Sequence, residues 1–321
     1  MIGARMLGTL LSPAGARARL SILIYHRVFA EPDPLFPDEV DAVRFETQMR
    51  LVAQHFNVLP LAEAVARMQS GSLPARAACI TFDDGYADNA EIALPILQRQ
   101  GLNACFFIAT DYLNGGRMWN DGVIETVRAA HGPMLDLSAL GLGRYEISNT
   151  NEKRTAIHVI LGQIKYLPEQ AREQRAAQIA ELAQVNLPTD LMMRTTQIRA
   201  LHAAGMAIGG HTAHHPILAR LSPDRARQEI ARGKETLEEI IGERVTLFAY
   251  PNGKPKHDYT REHTAMVREL GFHAAVSTAW GVATRTADPF QLPRFTPWDV
   301  SSPRFLLRML SNLRHIRSER V

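Results

Sequence analysis

Cysteine is scarce in this chain, and long hydrophobic runs are missing. Cys79 and Cys105 are the only cysteines among 321 residues, which excludes a framework of several disulfide bonds. Both lie inside apolar runs, where a free thiol behaves as a small hydrophobic side chain. No apolar run approaches the roughly 20 residues that a membrane-spanning helix needs, so we expect a soluble protein.

A strong net charge is missing as well. The chain has 36 basic and 33 acidic residues, a formal net charge of +3 and a pI near 9.0. So small an excess does not provide a nucleic-acid-binding surface, and we expect no nucleic-acid partner. The apolar run at residues 6–11 is too short for a secretory signal. We therefore interpret residues 1–19 as a leader to the first strand and expect a cytoplasmic protein.

What the sequence does contain is a repeated alternation of short β-rich runs and helical patterns, which predicts an α/β fold with parallel strands. The alternation fits a barrel or an open doubly wound sheet, and the length fits one domain. Several of the runs are continuously apolar, as strands covered on both faces are. The predicted strands are residues 21–25, 56–59, 78–82, 104–108, 206–210, 246–250, 274–277 and 291–294.

Two segments depart from this alternation. Residues 111–195 contain helical patterns but no clear strand, so we predict a helical insertion in a barrel domain that spans residues 20–300. Residues 301–321 place apolar positions opposite arginines and predict a basic amphipathic helix. Such a helix either packs on the barrel with a solvated basic face or contacts a membrane surface or an anionic partner.

Two adjacent carboxylates follow the predicted strand at residues 78–82. Asp83 and Asp84 lie where this parallel strand ends, and barrel enzymes keep their catalytic groups at that end. An Asp-Asp-Gly sequence on its own more often marks a turn or the start of a helix. The two aspartates indicate an active site only together with polar residues at other strand ends.

Three histidines follow the predicted strand at residues 206–210. His211 and His215 are four residues apart and can bind one metal ion from a loop, whereas we expect His214 to point elsewhere. His26 ends the first predicted strand and Arg294 ends the last. Because all these strand ends share one rim, the sequence predicts an active site there.

Three ordered motifs carry a family resemblance. They are Thr-Phe-Asp-Asp-Gly-Tyr at residues 81–86, His-Thr-x-x-His-Pro at 211–216 and Phe-Ala-Tyr-Pro-Asn-Gly at 248–253. The sequence resembles the polysaccharide deacetylases, the family with the NodB homology domain (carbohydrate esterase family four), over roughly residues 20–300 apart from the insertion. The resemblance implies a distorted (β/α) barrel of about seven parallel strands.

The resemblance also implies roles for the residues at the rim. By that similarity Asp84, His211 and His215 are ligands of one divalent metal ion, Asp83 is the general base and His26 is the general acid. Two histidines and one carboxylate suit zinc, and nickel, cobalt or manganese would also fit.

One departure from the family pattern lies in the third motif. Many members carry an arginine where this chain has Ala249, and that arginine orients the catalytic aspartate. We predict that Arg294 replaces it and holds Asp83 ionised.

Five further residues are predicted to contact the substrate. A backbone N–H near Tyr86 is expected to stabilise the oxyanion, and Tyr250 and Pro251 of the third motif line the same site. Trp119 and Trp298 lie in predicted loops, where an indole either stacks on a sugar ring or packs beneath the loop.

Together these observations predict a metal-dependent hydrolase that removes N-acetyl groups from amino sugars of a polysaccharide or its precursor. One alternative is a deacylase that acts on another small amide or a formyl group. A second is a non-catalytic, metal-containing glycan-binding protein, against which intact Asp83 and His26 argue. A metal-dependent phosphoesterase is disfavoured, because no basic phosphate clamp lies near the motifs.

Overall fold

A barrel of parallel strands forms the larger of two compact units in the computed structural model, which describes residues 2–316 and 318–321. The first unit comprises Met1–Glu31, Asp38–Leu113 and Met193–Val321, and the second comprises Pro32–Pro37 and Asn114–Met192.

The strands and helices alternate along most of the chain. The described residues form strands β1 Leu20–Tyr25, β2 Asn57–Val58, β3 Ala77–Phe82, β4 Cys105–Ile108, β5 Met134–Asp136, β6 Arg144–Glu146, β7 Ala207–Gly210, β8 Leu247–Ala249, β9 Ala274–Trp280 and β10 Leu292–Arg294. The helices are α1 Ile2–Leu11, α2 Ala42–His55, α3 Leu61–Ser70, α4 Leu94–Arg99, α5 Trp119–Ala129, α6 Thr150–Ile164, α7 Glu169–Leu182, α8 Thr195–Ala203, α9 Pro223–Ile241, α10 Arg261–Glu269 and α11 Ser302–Asn312.

Seven strands pair in the order β1, β3, β4, β7, β8, β9, β10, and every pairing along this path is parallel. Phe295 brings the last strand back to the first: its N–H donates to Ile22 O at 2.8 Å, and its carbonyl accepts from Ile24 N at 3.0 Å. The result is a nearly closed (β/α) barrel, which confirms the predicted architecture. Among the described strands, β2 pairs with β3 alone and lies outside the path.

The continuously apolar strands have both faces buried. One face fills the barrel interior, where Ile22, Phe107 and Val276 pack together with the free thiols of Cys79 and Cys105. The other face packs under the surrounding helices, with Phe82, Phe106 and Phe248 among its large side chains. Burial on both faces explains why these strands lack the alternation of half-exposed strands.

The second unit has a core of its own. Helices α5, α6 and α7 enclose a cluster that includes Val127, Ile160 and Ile179. The expectation that this region contains no strand is wrong, because β5 and β6 form an antiparallel hairpin. Each of its strands has only three residues, too few to produce a recognisable alternation.

The two ends of the chain also differ from the sequence-based expectation. Helix α1 occupies most of the predicted leader at residues 1–19, and α11 ends at Asn312, so the predicted helix at 301–321 stops early. Beyond α11 the chain hydrogen-bonds back to the barrel: the carbonyl of His315 accepts from Val282 N at 2.9 Å. Met1 of the predicted leader and Arg317 of the predicted helix lie outside the described residues. Among the described residues, no helix combines the length and apolar character needed to cross a bilayer.

Candidate active site

The loop after β3 places the two adjacent carboxylates at the carboxyl end of the barrel. Asp84 and Gly85 adopt positive φ angles of 77° and 93°. The carbonyl of Asp84 accepts from Ala109 N at 3.2 Å, and the N–H of Asp83 donates to Tyr25 O at 2.9 Å. These bonds to the ends of β4 and β1 hold a backbone conformation that is uncommon for aspartate.

Asp84 faces the two spaced histidines across a short gap. Its Oδ1 lies 3.4 Å from Nε2 of His211 and 3.4 Å from Nε2 of His215. One ligand atom from each of the three residues lies within 4.8 Å of the other two. The structure therefore brings together the three residues that the sequence predicts as metal ligands.

Hydrogen bonding in this group fits a bound cation. Nδ1 of His211 lies 2.7 Å from the carbonyl oxygen of Ala249, which can only accept, so Nδ1 carries the proton and Nε2 presents a lone pair. Oδ1 of Asp84 is buried and accepts no hydrogen bond among the described residues. A buried acceptor that faces imidazole lone pairs is favourable around a metal ion, and one carboxylate with two imidazoles is a common donor set for zinc.

The charge states of the group suit metal binding. Burial lowers the pKa of His215 to about 4, so at neutral pH its ring is in the neutral form that ligates metal. Burial opposes ionisation of Asp84, but the neighbouring imidazoles of His211 and His215 favour the carboxylate and hold its pKa below the ordinary value. Burial lowers the pKa of His211, but the carboxylates of Asp84 and Asp83 outweigh burial and raise that pKa, so a metal ion at Nε2 competes with a proton there.

The histidine loop is fixed by neighbouring elements. Thr212 and His215 have positive φ angles, and Oγ1 of Thr212 accepts from His215 N at 3.1 Å. A Cβ at Gly233 of α9 would lie 2.6 Å from the carbonyl carbon of Thr212, so only glycine lets the helix approach this loop. The loop therefore depends on α9 for its shape.

His214 points away from the three ligand atoms. Its Nδ1 lies 2.9 Å from Oε1 of Glu229, and its Nε2 lies 2.6 Å from Oδ2 of Asp111. The backbone N–H of His214 also donates to Glu229, at 2.9 Å. The two carboxylates were not identified from sequence, because neither belongs to a motif and only the fold brings them to this loop.

Asp83 is paired with Arg294 from the last strand. Nη1 and Nη2 of Arg294 donate to the two carboxylate oxygens at 2.7 and 2.6 Å. Both side chains are buried, with 2% and 1% of their surfaces exposed. Burial opposes ionisation of Asp83, but the charge and hydrogen bonds of Arg294 hold its pKa below the ordinary value. Ala249, the position at which the family resemblance predicts an arginine, is fully buried.

Of the other residues that the sequence predicts at the rim, one is exposed there and the rest are buried. His26 follows β1 and is exposed, and its charge lies close enough to lower the pKa of both Asp83 and Asp84. Tyr86 is buried under the guanidinium of Arg27.

The side chain of Tyr250 is in the core, where its hydroxyl donates to Phe290 O at 3.0 Å and its ring stacks on a neighbouring tyrosine. Pro251 follows β8 and is also buried.

The predicted tryptophans lie in different units. Trp119 begins α5 in the second unit, half-buried beneath the guanidinium of Arg172. Trp298 follows β10 in the barrel unit, is 45% exposed and lies 6.1 Å from the exposed ring of Trp280. Trp280 was missed from sequence, because β9 extends three residues beyond the end of the predicted strand at 277.

Trp298 belongs to the carboxyl-end rim. Nε2 of Gln48 donates to the carbonyl of the preceding residue, Pro297, at 3.2 Å, and Oε1 of the same glutamine accepts from the Tyr25 hydroxyl at 2.8 Å. Tyr25 is the last residue of β1 and directly precedes His26. The tryptophan loop is thus tied to the strand that directly precedes His26.

The fold and the grouped ligands define a (β/α) barrel with a candidate metal centre at its carboxyl-end rim. The sequence model of the polysaccharide deacetylases matches residues 70–132 and 145–275, which is more than half of the chain. The chain belongs to the polysaccharide deacetylase family and is a hydrolase of carbon–nitrogen amide bonds.

Individual relatives agree with this membership. The chain is 22% identical over 279 residues to YxkH of Bacillus subtilis (strain 168), named provisionally as a polysaccharide deacetylase, covering 86% of this chain and 71% of the relative. The Streptococcus pyogenes deacetylase PplD, solved in complex with acetate, is similar with a TM-score of 0.61 at 18% identity, covering 91% and 98% of the two chains. IcaB from Ammonifex degensii is similar with a TM-score of 0.59 at 18% identity, covering 94% and 98%. At these identities the two structures show a shared fold.

Proposed function

We propose that this chain is a metal-dependent N-deacetylase that removes acetyl groups from the amino sugars of a polysaccharide or its precursor. One observation carries the proposal: Asp84, His211 and His215 present three ligand atoms within 4.8 Å of one another, next to the separate, arginine-paired carboxylate of Asp83. Amide hydrolysis is assisted by a Lewis acid and a general base; the three ligand residues would hold the first and Asp83 would supply the second.

Asp84, His211 and His215 would hold the ion, with zinc favoured by the donor set and nickel, cobalt or manganese as alternatives. When bound, a divalent ion supplies Lewis-acid chemistry: it polarises the amide carbonyl and increases the acidity of water. The proton on Nδ1 of His211, donated to Ala249 O, would keep the ring in the orientation that ligation needs.

Asp83 would act as the general base that accepts the proton of the attacking water. Both of its oxygens already accept from Arg294, and an ionised carboxylate has further lone pairs for that proton. Arg294 would be a positioning residue, because it acts by keeping Asp83 ionised and oriented. This arrangement would replace the arginine that is absent at Ala249.

His26 would donate a proton to the departing sugar amine. Cleavage of an amide releases a strongly basic amine, so the C–N bond breaks readily only when nitrogen receives a proton. His26 is exposed on the rim and lies near Asp83 and Asp84, a position that supports this assignment.

Backbone groups rather than side chains would line the oxyanion site. The side chains of Tyr86 and Tyr250 are buried, so their contribution, with that of Pro251, would come through the main chain. Trp298 would stack on a sugar ring, since it is exposed on the same rim. Trp119 is half-buried in the second unit, whereas Trp298 is exposed, and this difference in exposure favours the packing role for Trp119.

The test is metal-dependent release of acetate from short N-acetylglucosamine oligomers and from exopolysaccharide preparations. We expect native protein to release acetate, and Asp83→Asn, His211→Ala and chelated protein to release none. Asp190→Asn and His158→Ala, at exposed sites, are the matched controls and should retain activity. Release only of another acyl group would favour the deacylase alternative. Metal binding without release of any acyl group would favour the glycan-binding alternative.

A further inference from the structure

Positive charge is concentrated at the two ends of the chain. Residues 1–30 contain four arginines and no acidic residue, and residues 300–321 contain five arginines and one glutamate. The other 269 residues contain 27 basic and 32 acidic residues. The net positive charge of the two ends therefore exceeds that of the whole chain, because the rest of the chain has a net negative charge.

Helix α1 turns apolar side chains outward. Met6, Leu7 and Leu10 are exposed, Leu10 by 79% of its surface. Spacing by three and four residues places them on one face of the helix. Gly8 lies on the opposite, buried face, where a Cβ would approach Leu310 of α11 to 3.2 Å.

Helix α11 continues this pattern beside α1. Its buried apolar residues, among them Phe305 and Met309, belong to the main apolar core, whereas Leu307 is 64% exposed. Arg5 of α1 and Arg314 after α11 are exposed, and neither forms an ion pair with another residue that the structure describes. We define the terminal surface as Arg5, Met6, Leu7, Leu10, Leu307 and Arg314.

We propose that the terminal surface docks this protein on an anionic lipid bilayer. Outward apolar side chains flanked by unpaired arginines are the chemistry of helices that lie in the plane of a membrane interface. A second copy of the chain is the poorer occupant, because self-contact would bring Arg5 and Arg314 of two copies together without a carboxylate of the surface between them. An anionic headgroup layer neutralises these arginines while the apolar side chains enter its boundary.

The docked orientation follows from the connection of α1 to the barrel. The carbonyl of Ser12, which follows α1, accepts from Arg76 N at 3.0 Å, and Arg76 directly precedes β3. Helix α1 thus ends near the amino ends of β1 and β3, whereas Asp83 and His211 follow carboxyl ends. Docking through α1 places the bilayer nearer the amino ends of these strands than the rim that carries Asp83 and His211.

Co-sedimentation of the full chain with lipid vesicles tests the proposal. We expect binding to vesicles of equal parts phosphatidylcholine and phosphatidylglycerol, weakening as salt is raised, and no binding to phosphatidylcholine alone. The double variant Leu7→Glu/Leu10→Glu should bind at least about tenfold more weakly. Arg5→Gln and Arg314→Gln should each weaken binding about fivefold.

Matched controls separate docking from folding. Leu182→Glu in α7 and Arg154→Gln in α6 are exposed changes of the same chemistry in the second unit, and they should bind as the native chain does. All variants should keep the native circular dichroism, because every changed side chain is outside the core. Absence of binding at low salt, equal binding to both vesicle types, or native binding by Leu7→Glu/Leu10→Glu would overturn the proposal. A dimer that the double variant splits into monomers would assign the surface to a second copy instead.

Discussion

Replacement of Arg294 by methionine should destabilise the folded chain in a pH-dependent manner. Arg294 donates to both oxygens of Asp83, to Ser277 O and to Thr81 Oγ1, and both charged groups are almost fully buried. Methionine fills much of the same space but leaves the Asp83 carboxylate without its cation. Loss of one partner of a buried pair costs about 3–5 kcal/mol, a large part of the roughly 5–15 kcal/mol that stabilises a typical domain.

The pH dependence follows from the pKa of Asp83 in the two proteins. In the native chain Arg294 keeps this pKa below the unfolded value of about 3.9, so the pair stabilises the fold above that pH and loses its effect as pH falls. In Arg294→Met the arginine no longer offsets burial, so the pKa of Asp83 in the folded variant rises above its unfolded value. The variant therefore loses stability at every pH at which Asp83 of the unfolded chain is ionised. The stability difference should be largest near neutral pH and should narrow as pH falls through about 4.

Urea unfolding followed by circular dichroism measures this difference. Both proteins are unfolded in chelator, so that metal binding does not add to either stability. Equal m values would show that the same surface is exposed in each case. Arg154→Met, an exposed arginine replaced in the same way, should change stability by less than about 0.5 kcal/mol. A loss below about 1 kcal/mol at neutral pH, or a stability difference that does not narrow as pH falls, would refute the reasoning.

Three other predictions concern the site and its support. His214→Ala removes the bridge between two carboxylates and should weaken metal affinity about 10–100-fold, measured by calorimetric titration; unchanged affinity would contradict this. Gly233→Ala should destabilise the chain by about 1–3 kcal/mol, seen as a lower thermal midpoint, because the added methyl meets the backbone of Thr212. Trp298→Ala should raise the KM for acetylated oligomers about fivefold. Trp119→Ala should lower the thermal midpoint and leave KM unchanged. A raised KM for Trp119→Ala together with an unchanged KM for Trp298→Ala would assign the sugar contact to Trp119 instead.

The barrel could be predicted from sequence because its strands are buried on both faces. Continuous apolar runs marked β1, β3 and β4 directly, and each motif residue stood at the end of such a run. Once the strands are parallel, their carboxyl ends must share a rim, and Asp84, His211 and His215 are brought together by that topology.

Other features depend on contacts that no local pattern records. Arg294 and Asp83 are separated by 211 positions, and only closure of the barrel between β10 and β1 brings them into contact. Glu229 and Asp111 reach His214 for the same reason, and neither belongs to a motif. The early end of α11 also depends on tertiary contacts, because the tail bonds to the barrel instead of continuing a helix.

The backbone of the candidate metal centre is held in an uncommon conformation by the elements around it. Asp84, Thr212 and His215 all have positive φ angles, a conformation that costs a non-glycine residue of order 1–3 kcal/mol. Packing and hydrogen bonds from β1, β4 and α9 hold these residues in place. Ligand atoms on a backbone held in this way have little conformational freedom to lose on binding a cation.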